Sequence, residues 1–541
     1  MIYQAFIYAL LIFAGCHSNN SNNFAILKDA FIDWYNKNHI TEKFDYEMSY
    51  FNVKNSLLND DYIEDINRFE LELSQINKND LRHQNKIDYE ILIRIINQLY
   101  LSNINSKSLN FSINDVIIDI YNSLFYVMNS KNKDDFGKII TLNAHLNDVI
   151  KYLDNSKDKI TSDYDKIISN EFNANYNILI KYIDFIKLDL LISDDTYKDL
   201  NALIDLLLMK MYKYNNWVNY DYNYSSNIEY VDVNIDAYSI YIRELFNNDN
   251  YNYDTSIAYL KNKRKILKND IFNESLKIYL NFNDEPIWVD SSDTLHVLNW
   301  VIKNKIKDNL LDKDNFLDNI SDNYRKILNY YGRINSKELD TTVAFIRLRK
   351  EYEIVPDYYY NNGNFIINEN SYEDIFNNYY SINLIFEVFF SMHNIYGSLN
   401  KNFNELRNIK NDLYARGISW FLYDLYVNSI VDDTSLNKIN FYLELLKKIE
   451  VAILQDTYID NSDEGAIIHA LQSNAFLSKE ESQDVFILAF ESNNLYIEPL
   501  LTYFHLLHLY ENECLLSNKY SKGQFLDKIF NYGYVNYYTI N

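Results

Sequence analysis

The sequence predicts a mainly helical fold, a large helical array with one small β-hairpin or sheet. Three observations predict it. Gly and Pro, the strongest punctuators of structure, number nine and three in 541 residues, which suits long helices joined by brief connections and argues against an all-β chain. Apolar side chains recur at helical spacing through most of the length. One stretch, 341–370, is instead rich in β-branched and aromatic residues around a turn signal. At 48% hydrophobic, the chain can bury a substantial core, as one large domain or as two to four smaller ones.

The first element is MIYQAFIYALLIFAGC, an apolar run too short to span a bilayer comfortably, followed by the polar HSNNSNN. Its Phe13-Ala14-Gly15-Cys16 is similar to a relaxed bacterial lipobox, in which Leu usually stands at the Phe13 position and the cysteine thiol is lipidated. That resemblance implies a signal peptide over 1–15, lipidation at Cys16 as the first mature residue, and a polar tether over 16–23. It also implies a membrane partner through the N-terminal lipid and an extracytoplasmic place on the cell envelope, periplasmic or surface-facing. No Lys or Arg precedes Lys28, and an ordinary cleaved signal or a buried N-terminal helix also fits the apolar run. With Cys16 lipidated, Cys514 is alone and no intramolecular disulfide can form.

From 24 the array begins. Leu27, Phe31 and Trp34 at i, i+4 and i+7, with Lys28, Asp29 and Asp33 opposite, make an amphipathic helix over 24–38. Similar spacing predicts helices over 84–102, 112–129 (around Val116, Ile117, Ile120 and Leu124), 139–153, 164–187 and 195–217. A helical region therefore spans 24–335, with no fixed-period repeat. Near 340 the pattern changes: Pro356 interrupts, and Asn361-Asn362-Gly363 separates two apolar runs as a hairpin turn does. Helical spacing returns from about 372 and runs nearly to the end. Thus 336–541 reads as a second region, with 24–541 forming one structural unit.

Charge and motifs narrow the function. The formal net charge of −25 repels phosphate backbones and argues against nucleic acid as a partner. Heavy use of Asn, Ile, Tyr and Lys is what AT-rich codons produce, so the Asn-rich patches are not read as prion-like. No P-loop, no G-x-G-x-x-G, no G-x-S-x-G and no spaced Cys pair occurs, which removes the motif basis for nucleotide, Rossmann-type or serine-hydrolase readings. Nor do any of the nine histidines form H-E-x-x-H.

Several features in order nevertheless resemble a known family. An N-terminal helix carries Phe31-Ile32-Asp33-Trp34. A strand pair with Pro356, Tyr358, Tyr359 and 363-GNFIIN-368 precedes the run 383-NLIFEVFFSMHNIYG-397. After it come 415-ARGISWFLYDLY-426, Asp456-Thr457, and a closing Phe525 to Gly533. Over 24–541 the chain resembles a divergent member of the bacterial domain-of-unknown-function family 885, helical relatives of the gluzincin zinc peptidases. The resemblance implies a zinc-peptidase-like architecture and a metal helix reading H-E-x-x-P-G-H-H.

Two registers place that helix. In one, Glu387 keeps the water-activating position, while the flanking ligand positions become Phe386 and Met392 and His393 matches the trailing histidine. In the other, Glu387 and His393 keep the six-residue ligand spacing, and the base position becomes Val388. Both lose the Pro and Gly of the family pattern, and six residues of straight helix leave two side chains roughly 120° apart. The third ligand position, E-G-W-A in the family, reads Arg416-Gly417-Ile418-Ser419, a permanent cation where a dication should sit. The family's D-T-G-x-H becomes Asp456-Thr457-Tyr458-Ile459-Asp460. The resemblance thus implies catalytic remnants at Glu387 and His393, inactive, with Arg416 ion-paired to Glu387 where zinc once sat and no cofactor bound.

Two alternatives stay open for this run: a core helix whose acid is an edge residue, and an intact zinc site. Other residues compete. His505, His508 and Glu511 step by three and form a weak metal candidate set, against a core reading among Leu506, Leu507 and Leu509. Tyr358 and Tyr359 are pocket candidates, and the edge of their strand pair suits strand addition by an extended peptide. The Tyr-rich 219–234 offers stacking surfaces. The basic Arg347-Leu348-Arg349-Lys350 reads as a salt-bridged strand face.

The function expected is a membrane-anchored bacterial lipoprotein with a decayed metallopeptidase-like site, binding a peptide, polymer or protein at the envelope. An active zinc-dependent peptidase with non-standard ligands and a structural or antigenic surface lipoprotein are the alternatives.

Overall fold

The computed structural model describes residues 2–39, 60–107, 112–129, 134–157, 160, 165–192, 197–222, 238–239, 242–243, 252–282, 294–302, 304, 311–334, 345–354, 358–361, 364–367, 378–387, 406, 412–429, 434–457, 464–479, 481–483, 485–486 and 496–531. The fold is mainly α. It divides into two compact units, 1–232 with 349–356, and 233–348 with 357–541. This division falls at 232/233, ahead of the change of sequence pattern near 335. Helices on both sides of 232 carry the same apolar spacing, so local sequence does not mark it.

In the first unit, α1 (Ile2–Asn38) is followed by α2 (Asp60–Ser74), α3 (His83–Lys107), α4 (Ile113–Met128), α5 (Asp135–Ser156), α6 (Asp165–Asp189) and α7 (Lys198–Asn216). The helix α1 runs without a break through 16–23, the stretch read as a tether, and includes Cys16. No proline interrupts it, and the Asn20 amide donates to Asp80 at 3.0 Å. Phe24, Leu27 and Phe31 form its buried stripe. Among the described residues no helix is long and apolar enough to cross a membrane. Trp34 donates from Nε1 to Asp65 at 2.8 Å and packs on Phe31, Phe69 and Tyr62.

The helices predicted from spacing form where expected. A capping box starts α4: Asp115 N donates to Ser112 Oγ at 3.1 Å, and Ser112 N donates back to Asp115 Oδ2 at 2.9 Å, satisfying two helix-end donors reciprocally. Val116, Ile117, Ile120 and Leu124 are buried as their period requires. The core of α4 to α7 also takes in Tyr352 and Ile354, with Tyr352 stacked on Phe185 at 4.3 Å. That packing places 349–356 in the first unit.

The second unit contains α8 (Tyr253–Phe282), α9 (Thr294–Val301), α10 (Lys313–Ile334), β1 (Phe345–Leu348), β2 (Tyr358–Asn361), β3 (Asn364–Ile367), α11 (Asn378–Ile385), α12 (Asp412–Val427), α13 (Thr434–Thr457), α14 (Glu464–Ala475), α15 (Ile497–Tyr510) and α16 (Lys522–Asn531). The expected hairpin is present: β2 pairs antiparallel with β3, Tyr358 opposite Ile367. A third strand, β1, joins β3 in parallel, giving the order β1-β3-β2. Only Arg347 and Leu348 of the basic patch lie in β1. Beyond it Arg349 donates to the Glu353 carbonyl at 3.4 Å, and the Glu353 carboxylate accepts from the Lys350 backbone N–H at 2.7 Å, closing a turn.

Helices α12 and α13 carry several of the unit's buried polar groups, Ser419, Asp424, Asn437, Lys448 and Glu450. Asp424 on α12 is almost fully buried and receives the Asn428 amide at 3.1 Å. Burial pushes its carboxyl up to about 7, against the opposing pull of Lys438 and the Asn428 bond. The folded state therefore holds this proton better than the unfolded chain does. The stabilising contribution is complete below the ordinary value of 3.8 and is lost as pH rises through about 7, roughly 4 kcal/mol for this group alone. Asp424→Asn, neutral at every pH, is expected to flatten that part of the profile and to be more stable than the parent at pH 8. Urea denaturation at pH 5 and pH 8 checks this, and an unchanged slope in the variant contradicts it.

Candidate functional site

Glu387 lies two residues beyond Ile385, where α11 continues in a wider π-type turn. One face of α12 meets that turn in helical order. Tyr423 stacks on Phe386 with centroids 4.8 Å apart, Ser419 donates through its hydroxyl to the Phe386 carbonyl, and Trp420 donates from Nε1 to Glu387 Oε1 at 3.3 Å. Arg416 begins the same stripe, one turn before Trp420.

The cationic partner of Glu387 comes from α13. Lys448 Nζ lies 2.7 Å from Glu387 Oε1 and 3.5 Å from Glu444 Oε2, one turn earlier on its own helix. It also lies 5.4 Å from the centre of the Trp420 ring, an arrangement suited to a cation–π contact. The Lys448 and Glu387 side chains are only 11% and 15% exposed. Burial pulls the ammonium toward neutrality, but Glu387 first and Glu444 second outweigh it and raise its pKa well above the usual lysine range. Tyr496, just before α15, lies within electrostatic reach of Lys448, Glu387, Arg416 and Glu444. Burial raises its phenol pKa, with Lys448 and Arg416 acting against the rise and Glu387 adding to it. At neutral pH it stays a hydrogen-bond donor.

The expected ion pair between Arg416 and Glu387 is corrected by this geometry: Lys448 is the partner. Arg416 is half-buried and has no ion-pair or hydrogen-bond partner among the described residues. The closeness of α12 to α15 depends on Gly417, whose missing Cβ would lie 2.5 Å from Thr502 Cβ and 2.7 Å from the Pro499 carbonyl. Among the described residues, those around Glu387 do not suit a zinc ion. A dication at Glu387 would have to displace an ammonium already seated at 2.7 Å. Among the described residues no group of three His, Cys, Asp or Glu side chains could hold a metal.

The other sequence candidates scatter. His393, Met392 and Val388 lie outside the described residues. Tyr358 and Tyr359 begin β2, on one edge of the sheet, with β3 in the centre. His505 is buried, and burial drives its imidazole down to about 3, with nearby His508 contributing. His508 is exposed and bonded to Asn512 at 2.9 Å, and Glu511 is exposed. The two rings thus occupy different environments on α15. Cys514 is buried, its thiol pushed up to about 11 by burial.

Sequence reasoning passed over Lys448, Glu444, Trp420 and Tyr496. A signal existed: Lys448 stands in the apolar run 445-LLKKIEVAIL-454 four residues after Glu444, and Trp420 stands four after Arg416. Charged residues that recur on an otherwise apolar helix face need partners, because an unpaired buried charge is costly.

The architecture is that of a class of large, mainly helical proteins with solved representatives. A predicted lipoprotein of unknown function from Shewanella oneidensis superposes with a TM-score of 0.62 at 12% identity, covering 98% of both chains. A predicted lipoprotein from Colwellia psychrerythraea superposes with a TM-score of 0.61 at 11% identity, covering 88% of this chain and 89% of its own. At such identities the likeness is one of fold. No family model matches the chain, and no curated protein matches it either.

Proposed function

We propose that this chain is a bacterial envelope lipoprotein, anchored through Cys16, that uses a decayed metallopeptidase-like site to bind a peptide, polymer or protein without cleaving it. The observation that carries this reading is the Glu387–Lys448 pair at 2.7 Å. A carboxylate that is to activate water or hold a metal needs free lone pairs directed at the reacting centre. Here one oxygen of Glu387 meets an ammonium and an indole N–H together. Arg416 adds a second cation on the same face of α12. The order of motifs resembling family 885 supports the ancestry, and the lipobox-like Phe13-Ala14-Gly15-Cys16 supports the anchor. The naming of both fold neighbours as lipoproteins is in keeping with it.

The test is hydrolysis of a mixed peptide library by the purified chain, with and without added zinc, followed by mass spectrometry. No cleavage above a Glu387→Gln control is expected. Turnover that a chelator abolishes and zinc restores would overturn the proposal in favour of an active peptidase.

A further inference from the structure

The stretch 16–23 is helical, part of α1, and the turns of α1 that follow it are fixed to the rest of the first unit. The Asn20 amide donates to Asp80 at 3.0 Å, Phe24 packs on Tyr89 with ring centroids 6.0 Å apart, and Lys28 reaches Asp88 at 3.2 Å. About one turn of helix, roughly 6 Å of rise, separates Cys16 from Asn20. A chain anchored through Cys16 therefore has little slack. The part of the fold that holds Asn20 is brought to within about 10 Å of the lipid-bearing residue.

That part is a turn of unusual charge. Asn77 caps a short 3₁₀ helix, Lys78–Asp80, by accepting from Asn79 N at 3.1 Å, and α3 begins at His83. The segment 77-NKNDLRHQNK-86 sets Lys78, Arg82 and Lys86 against the single acid Asp80, in a chain of net charge −25. Arg82 is exposed, Lys86 is half-buried, and Lys78 stays 49% exposed while paired with Glu90. The acids that open α2 lie at the opposite end, where Asp65 meets Trp34, about 21 Å of helix beyond Asn20.

We propose that the turn 77–86 rests on the anionic headgroups of the bilayer that holds the lipid, so that the first unit stands end-on with α1 leading away from the surface. The inference rests on the anchor at Cys16 and adds which face meets the membrane and which headgroup charge it favours. Each Lys or Arg close to an anionic surface strengthens the attraction about fivefold, and the effect fades over a Debye length of about 8–10 Å. The acidic chain as a whole is repelled by such a surface, so the lipid supplies attachment. The basic turn, held within reach by the helical link from Cys16 to Asn20, supplies orientation.

Fluorescence quenching on the full lipidated chain in nanodiscs tests this. Intact mass first reports whether Cys16 carries acyl chains; their absence would remove the anchor reading and the inference with it. A fluorophore is placed on Asn79→Cys in the turn or, as a control, on Lys37→Cys, about 32 Å along α1 from Cys16; Cys514 is buried. The quencher is a lipid spin-labelled on its headgroup. In discs of phosphatidylcholine with about one third phosphatidylglycerol, quenching at position 79 is expected to exceed that at position 37 at least threefold. That excess should fall by about half or more in discs of phosphatidylcholine alone, and equally in the double variant Arg82→Gln, Lys86→Gln. Equal quenching at the two positions, strong or weak, overturns the end-on contact, because the unit then lies along the surface or stands off it. An excess at position 79 that survives both in neutral lipid and in the double variant leaves the anchor intact and overturns the headgroup recognition.

Discussion

Lys448→Met is expected to destabilise the second unit by roughly 3–5 kcal/mol, the cost of leaving one partner of a buried pair uncompensated. Methionine fills the space of the lysine stem but offers no charge to Glu387, a carboxylate only 15% exposed that also accepts from the Trp420 indole. Glu444 then adds repulsion where it had shared the ammonium. The double variant Glu387→Gln, Lys448→Met should recover most of the loss, because removing both charges removes the desolvation problem as well as the attraction. Chemical denaturation of the four proteins in the cycle gives the coupling directly. A single variant within 0.5 kcal/mol of the parent would mean that the pair is solvated and that Glu387 is free for other work.

Gly417→Ala should be the second costly change. The added methyl would meet Thr502 Cβ at 2.5 Å, the Pro499 carbonyl at 2.7 Å and Thr502 Cγ2 at 2.8 Å. These separations are too short for any methyl, and one of the obstacles is backbone. Alanine is otherwise the better helix former by about 1 kcal/mol, so any destabilisation reports the interhelical clash alone. Overpacking of this kind costs about 1–3 kcal/mol, paid in displacement of α15 from α12. Thr502→Ala should not rescue it, since the Thr502 Cβ position and the Pro499 oxygen both persist. A melting temperature equal to the parent's would contradict the close approach of the two helices.

The helices were legible because their signal is local. A 3.6-residue apolar period is visible wherever one face is buried, and the α4 and α5 ranges follow it within a few residues. The β2–β3 hairpin was equally readable from 361-NNG-363 between two β-rich runs. What local pattern does not encode is which elements meet. The parallel partner β1 and the assignment of 349–356 to the first unit depend on contacts between distant segments. The same limit applied at the site. Glu387 was singled out as an acid on an apolar helix, and Arg416 as a cation in a ligand position. Their joining by electrostatics alone omitted Lys448, which belongs to another helix and reaches Glu387 only through the packing of α11 on α13. The i,i+4 pairs Arg416/Trp420 and Glu444/Lys448 pointed toward polar faces that had to find one another. They did not say which charge would take which partner.

The central claim is that the Glu387 carboxylate is committed to Lys448 and is not available to a metal. The most direct measurement is the zinc content of the purified chain, prepared without chelators, soaked in zinc, desalted and assayed by elemental analysis. The account predicts no zinc beyond trace in the parent protein. About one zinc per chain, lost on substituting Glu387 or His393, would contradict it and return the site to metal chemistry.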